Sequence, residues 1–191
     1  MIEPLNQSPC DTFLTNKEYL IHMINHHQVA VDISIDMLKI SKSPIIQEIL
    51  RKLIWTQNRE IAIMKNILNS LPINVSNSEL NVNAKYKKTN LDFTHDAYDS
   101  NAECNAEFFD PVLHKENLKH HKLNDKMYLE HMIPHHQVAV DMSKNLLKNT
   151  NNDFMISFAY KIIRNQQEEI NYMNQILKNL NQWHWESELI N

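Results

Sequence analysis

The sequence predicts an all-α protein in which two copies of one helical hairpin close into an antiparallel four-helix bundle. Three observations predict it. The stretch Met23-Ile24-Asn25-His26-His27-Gln28-Val29-Ala30-Val31-Asp32 recurs as Met132-Ile133-Pro134-His135-His136-Gln137-Val138-Ala139-Val140-Asp141, 109 positions later. Aligned at that offset from Tyr19/Tyr128 to Leu71/Leu180, the copies need no gap, and 24 of 53 pairs are identical. Apolar residues through both copies recur at i, i+3 and i+4, the stripe of a core-facing helix. One hairpin has too little partner surface to bury its own stripe, so two should pack face to face about an approximate two-fold axis.

Taken in order, residues 1–16 are polar with two prolines and read as an arm. Residues 17–71 are the first hairpin. Its first helix runs from Lys17 to Ile40, and a break at Ser41-Lys42-Ser43-Pro44 offers Ser43 as N-cap and Pro44 as first helical residue of the second. The second helix carries the stripe Ile46, Leu50, Leu53, Ile54, Ile61, Met64 and Leu68, and Pro72 ends it. Residues 72–125 form a crossover far longer than the usual link between bundle helices; its acidic part, Leu91 to Phe109, is where a short helix is expected. Residues 126–180 repeat the hairpin, with helices from Tyr128 to Lys148 and from Phe154 to Leu180. Residues 181–191 read as a tail whose Trp183-His184-Trp185 caps the bundle end. The chain has no Gly, so left-handed helix ends are expected at Asn69-Ser70, Asn149 and Asn179, Asn being the other residue that tolerates them.

Composition excludes several functions. Net charge is -4, with no basic surface for phosphates, so nucleic acid is not an expected partner. Without Gly there is no phosphate-cradling loop. No stretch approaches a membrane span, and the N-terminus has neither a basic nor an apolar signal region, so the chain reads as cytoplasmic with no membrane partner. Two cysteines, Cys10 and Cys104, are too few for a disulfide framework. Self-association is left open.

The chemistry lies in the repeat. On a helical wheel Met23, His27, Ala30, Ser34 and Met37 share one face, with His22 and His26 at its edge. Counting outward from the turn near residues 42 and 43, His26 and His27 come level with Gln57 to Glu60, and Met23 with Met64. In the second copy His135 and His136 face Gln166 to Glu169, with Met132 near Met173. Imidazole suits Cu, Zn, Fe and Ni, thioether selects Cu(I), and divalent affinity peaks at copper. Copper is the first choice of metal. Adjacent histidines diverge by about 100° on a helix, so His22 with His26, or Met23 with His27, make better ligand pairs than His26 with His27. His131 repeats His22. No Glu has a His three residues on, which argues against a di-iron or di-manganese bundle. A purely structural reading, in which His27 bonds Glu60 or Gln57 to fix the hairpin register, is the alternative. A metal-dependent oxidoreductase ranks third.

The two motifs, Met-Ile-x-His-His-Gln-x-Ala-Val followed about 30 residues later by Gln-x-x-Glu-Ile-x-x-Met, resemble the family called domain of unknown function 305. The resemblance implies a ferritin-like four-helix bundle and, from copper-binding members, a copper-sequestering role. It implies as metal-site positions Met23, His26, His27, Glu60 and Met64 in the first copy, with Gln57 beside them. In the second it implies Met132, His135, His136, Met142, Glu169 and Met173, with Gln166. Ile33 stands where the second copy has Met142, and Asn25 where it has Pro134, which makes the second copy the stronger metal site. With His22 and His131, these are the candidate ligands.

Overall fold

The computed structural model describes residues 14–70, 106–110 and 123–188, and of residues 106–107 and 181–188 the backbone alone. Four helices account for nearly all of it: α1, Asn16–Ile40; α2, Pro44–Ser70; α3, Asp125–Asn149; and α4, Asp153–Glu188. The described residues of the crossover include a single 3-10 turn, Ala106–Phe109. No strand is present among the described residues.

Local sequence sets the helix ends. Thr15 caps α1 in a capping box, its hydroxyl accepting from the Glu18 N–H at 3.1 Å while the Glu18 carboxylate accepts from the Thr15 N–H at 2.9 Å. Ser43 accepts from the Ile46 N–H at 3.4 Å ahead of Pro44, and Asn152 from the Met155 N–H at 3.0 Å ahead of α4. Pro134 removes one N–H from inside α3 without ending it.

The left-handed end expected at Asn149 is not found, and neither hairpin turn uses one. Ser41 (φ -65°, ψ 131°) and Thr150 (φ -88°, ψ 143°) end α1 and α3 in extended conformation, each N–H still bonded to the carbonyl four residues back. An extended residue here leads straight to the next N-cap, Ser43 or Asn152, so no positive φ is needed and no Gly is missed. Asn149 is the last helical residue, its amide donating to the Asn145 carbonyl at 3.2 Å. Asn179 lies inside α4, which continues through the expected tail to Glu188. The Trp183-His184-Trp185 side chains, both cysteines, and His95, His114, His120 and His121 of the crossover lie outside the described residues.

Helix α1 packs on α2, α3 on α4, and α1 also on α3. The core is two apolar clusters rather than one. The first gathers Leu20 and Met23 of α1, Ile61 and Met64 of α2, Met142 and Leu146 of α3, and Met155 and Phe158 of α4. The second gathers Val29, Ile33 and Met37 of α1, Leu50 and Leu53 of α2, Leu129 and Met132 of α3, and Ile170 and Met173 of α4. The start of α1 thus shares a cluster with the ends of α2 and α3 and the start of α4, as antiparallel neighbours require. Of the expected α2 stripe, Ile54 and Leu68 are only partly buried, and Ile49 takes a core place.

Between the clusters runs a buried polar belt: His26, His27, Gln57, Glu60, His135, His136, Gln166 and Glu169. Every one of these is a repeated position. Apolar packing on both sides supplies the driving force, at roughly 25 cal/mol per Å² of surface removed from water, and carries the cost of burying the belt.

Candidate metal centre

Each hairpin brings a histidine onto a glutamate. The His27 Nε2–H donates to Glu60 Oε2 at 3.0 Å, and the His136 Nε2–H to Glu169 Oε2 at 2.9 Å. These are the levels that counting from the turn predicts. Both carboxylates, expected as metal ligands, are hydrogen-bonded to the histidines. Glu60 is further held by Asn165, 3.3 Å from Oε1, and by the Lys161 ammonium at 3.5 Å, both from α4. Burial pushes its carboxyl pKa up, but the His27 bond, with Lys161 and Asn165, brings it below the ordinary value.

His26 and His135 turn the other way, into the contact between α1 and α3. The two hairpins' equivalent histidines meet there, ring centroids 3.7 Å apart and planes tilted by 34°. His26 Nε2–H donates to the His135 carbonyl at 3.0 Å. Helical-wheel geometry puts His26 at the edge of its face, yet it is fully buried, because the second hairpin covers that edge.

Two flanking bonds fix this crossing. The Tyr19 hydroxyl lies 2.8 Å from Ser143 Oγ, and Tyr128 Oη lies 2.9 Å from Ser34 Oγ. Exchanging the copies carries one bond into the other, and the His26–His135 contact lies between them. Ser34 and Ser143, the repeated hydroxyls on the α1 and α3 faces, therefore tie helix to helix.

The 3-10 turn covers the outer side of the stack. Phe109 packs on His22 and His26, with centroids at 5.9 and 5.4 Å. Phe108 packs edge-on to His131 and at a steep angle to His135, at 5.2 and 5.0 Å. His131 and His135 are 5.9 Å apart. In antiparallel helices His22 and His131 lie on opposite sides of the central pair, so the imidazoles form a row, His22, His26, His135, His131, under two phenyl rings. Nothing periodic marks these phenylalanines in the crossover. Their adjacency is the only sequence signal, and it does not say what they cover.

The two central imidazoles of the row are held neutral and are rich in lone pairs. Burial pushes the His26 and His135 pKa values well below the ordinary histidine value, and the neighbouring imidazoles push the same way. His22 is lowered too, by burial partly offset by Glu18. With Nε2–H donating, Nδ1 carries the lone pair on His26, His27 and His136, and none of these Nδ1 atoms has a hydrogen-bond partner among the described residues. Neither ring nitrogen of His135 has one. Both polar atoms of Gln57 and Oε1 of Gln166 are likewise unmatched. Buried lone pairs of neutral imidazole are what a transition metal takes up.

Two limits bear on the expected ligand set. Among the described residues no three His, Cys, Asp or Glu side chains converge where they could hold one ion. The candidate methionines, moreover, are grouped by copy with one exception. Met142 joins Met23 and Met64 in one apolar cluster, while Met132 and Met173 occupy the other. A second-copy set of His135, His136, Met142 and Met173 is therefore split across the belt, because α1 and α3 run antiparallel and Met142 lies nearer the first copy's methionines.

A family model described as domain of unknown function (DUF305) matches residues 16–177. The chain belongs to the DUF305 family. Among solved structures, it is 27% identical to CopM in the Cu(II)-bound form, with TM-score 0.63 over 88% of this chain and 99% of that one. CopM in the Cu(I)-bound form is 26% identical, TM-score 0.60, over 87% and 98%. A DUF305 fragment from Deinococcus radiodurans is 21% identical with TM-score 0.55 over 86% and 95%, a likeness of fold. Uncharacterized protein L153 of Acanthamoeba polyphaga mimivirus is 47% identical over 55 residues, which are 29% of this chain and 36% of that protein. The DUF305 bundle is thus the fold that the two histidine motifs imply. No described helix is long and apolar enough to cross a membrane.

Proposed function

We propose that this DUF305 protein binds and sequesters a soft transition metal, copper or a close analogue, as cargo in the polar belt of its bundle. The observation that carries the reading is the His26–His135 stack: two neutral, fully buried imidazoles from equivalent positions, with lone-pair nitrogens that no described group satisfies. Unpaired buried nitrogens cost stability, and a metal would return that cost. His26 and His135 would be the primary donors, His22 and His131 the flanking ones, and His27 and His136 would offer Nδ1. Glu60 and Glu169 would act through those two histidines, fixing Nε2 as the protonated nitrogen, as carboxylates behind metal-bound histidines do. Met23 and Met132, one turn before His26 and His135 and fully buried, would add thioether. The CopM structures with copper bound support the choice of metal.

The test is copper retention. Protein reconstituted with copper and desalted should keep it, and the double substitutions His26→Ala, His135→Ala and His135→Ala, His136→Ala should each lose most of it. Equal copper in wild type and both variants, or none in wild type, would sink the reading.

A second reading rests on the His27–Glu60 and His136–Glu169 bonds, which by themselves lock the register of each hairpin. It predicts melting temperatures that fall on substitution and do not respond to copper or chelator.

A further inference from the structure

We propose that this chain binds a second copy of itself head to tail, the extension of α4 over residues 181–188 seating in a groove on the outer face of the other copy's first hairpin. The groove lies between α1 and α2 and is lined by Leu38, Arg51, Ile54, Trp55, Asn58 and Arg59. Leu38 and Ile54, both half-buried, form its apolar floor, and Trp55 stands 65% exposed beside them. The Arg59 guanidinium lies over the Trp55 ring, 5.6 Å from its centroid, and Arg51 donates to Gln47 at 2.8 Å. A guanidinium has five N–H donors, so both arginines keep some for a carboxylate. None of the six lining residues is acidic.

The repeat separates what the hairpin needs from what it does not. In the second copy Leu147 and Ile163 match the floor residues Leu38 and Ile54, whereas Tyr160, Arg164 and Glu168 stand at the positions of Arg51, Trp55 and Arg59. Equivalent hairpins fold with either set, so the indole and the two cations are not required by the fold. Trp and Arg are the side chains that most often anchor protein interfaces.

The position and chemistry of α4 identify the occupant. Helix α2 ends at Ser70, ahead of Pro72; Asn181 stands at the equivalent position, and α4 runs on to Glu188. Asp125 is eleven residues before His136 and Leu180 eleven after Glu169, so the His136–Glu169 bond makes the start of α3 level with Leu180. Arg51 reaches the same level: it is nine residues before Glu60, as Asp36 is nine after His27, and Asp36 is ten after His26, as Asp125 is ten before His135. Residues 181–188 therefore continue for about 12 Å beyond that level, while the groove runs from Arg51 to Arg59 the other way. A helix leaving in that direction cannot enter the groove of its own chain. Its sequence, Asn181-Gln182-Trp183-His184-Trp185-Glu186-Ser187-Glu188, carries two indoles and two carboxylates, the complement of a groove with an apolar floor and two guanidiniums. Guanidinium holds carboxylate through paired N–H groups, and aromatic pairs add to the area they bury. The contact joins unlike surfaces, so each pair leaves one groove and one extension free for further copies.

The experiment is sedimentation velocity of the metal-free full chain from about 1 µM to about 100 µM. Mean mass should rise with concentration, and Arg51→Glu, Arg59→Glu should weaken association by at least about tenfold, the loss expected when an anchoring contact is removed. Glu186→Arg, Glu188→Arg should do the same, and it decides the matter even if the groove variant does not fold by circular dichroism. Mixing the two variants, each impaired alone, pairs reversed groove with reversed extension and should restore association. A chain that stays monomeric throughout overturns the inference, and binding of a free peptide of residues 181–190 to that monomer would assign the groove to an acidic segment of another protein. Association unchanged by both reversals overturns it as well, placing the self-contact elsewhere on the bundle.

Discussion

Tyr19 Oη and Ser143 Oγ lie 2.8 Å apart across the contact between α1 and α3, and Ser143 Oγ–H donates in turn to the Ala139 carbonyl at 2.8 Å. With the serine proton committed to that carbonyl, the Tyr19 hydroxyl is the donor. Burial raises its pKa above the ordinary value, so it stays protonated. Tyr19→Phe should cost about 0.5–1.5 kcal/mol, because Ser143 keeps its second bond. Tyr128→Phe should cost more, since among the described residues Ser34 has Tyr128 alone. Denaturant melts of the two single variants and the double variant check this; equal costs would show that the two crossings are energetically alike.

Stability should fall on acidification below the ordinary histidine value. The His26 and His135 pKa values are held well under 6.5 in the folded chain. Below 6.5 the unfolded chain therefore binds protons that the folded chain does not, and unfolding gains favour as pH drops. The slope should approach about 1.4 kcal/mol per pH unit for each histidine. Melting temperatures of metal-free protein between about pH 7.5 and about pH 5 should show it, with a shallower slope in His135→Asn. A flat profile would mean that the pair titrates as in the unfolded chain.

The hairpin level of the site was legible in the sequence because it follows from arithmetic along one chain. A short turn pins two helices, so His27 must meet the neighbourhood of Glu60, and His136 that of Glu169. The level between hairpins was not legible. Nothing in a helical period says which edge of α1 meets α3, so the His26–His135 stack and the Tyr19–Ser143 bond follow from tertiary packing alone. Met142 shows the cost of that gap: grouped with His135 by sequence, it packs instead with Met23 and Met64. Phe108 and Phe109 were invisible for a different reason, since the crossover has no period from which burial can be read.

The two His–Glu pairs should differ in strength although their geometry is nearly the same. Glu60 adds Lys161 and Asn165 to its histidine. The residue equivalent to Lys161, Lys52, is exposed, and Thr56 stands at the position equivalent to Asn165. Glu60→Gln should therefore cost about 1.5–3 kcal/mol, the range for hydrogen bonds to a charged group, and Glu169→Gln distinctly less. Because the Glu60 pKa is depressed, its contribution is present above the ordinary carboxyl value and is lost as pH falls through the folded value. The gap between wild type and Glu60→Gln should accordingly close in acid. Matched melts at neutral and acid pH measure both effects.

Thioether and packing can be separated at Met23 and Met132. Both are fully buried, one in each apolar cluster, and both precede a histidine of the stack by one helical turn. Leucine conserves their volume and apolarity, so Met23→Leu, Met132→Leu should cost less than about 1.5 kcal/mol per site in the metal-free protein. If the methionines only fill the core, silver and copper retention should be unchanged in this variant. If they contribute thioether, retention of both ions should drop while the melting temperature without metal stays near that of wild type. Loss of stability without loss of metal would assign these methionines to packing and leave the imidazole row as the whole donor set.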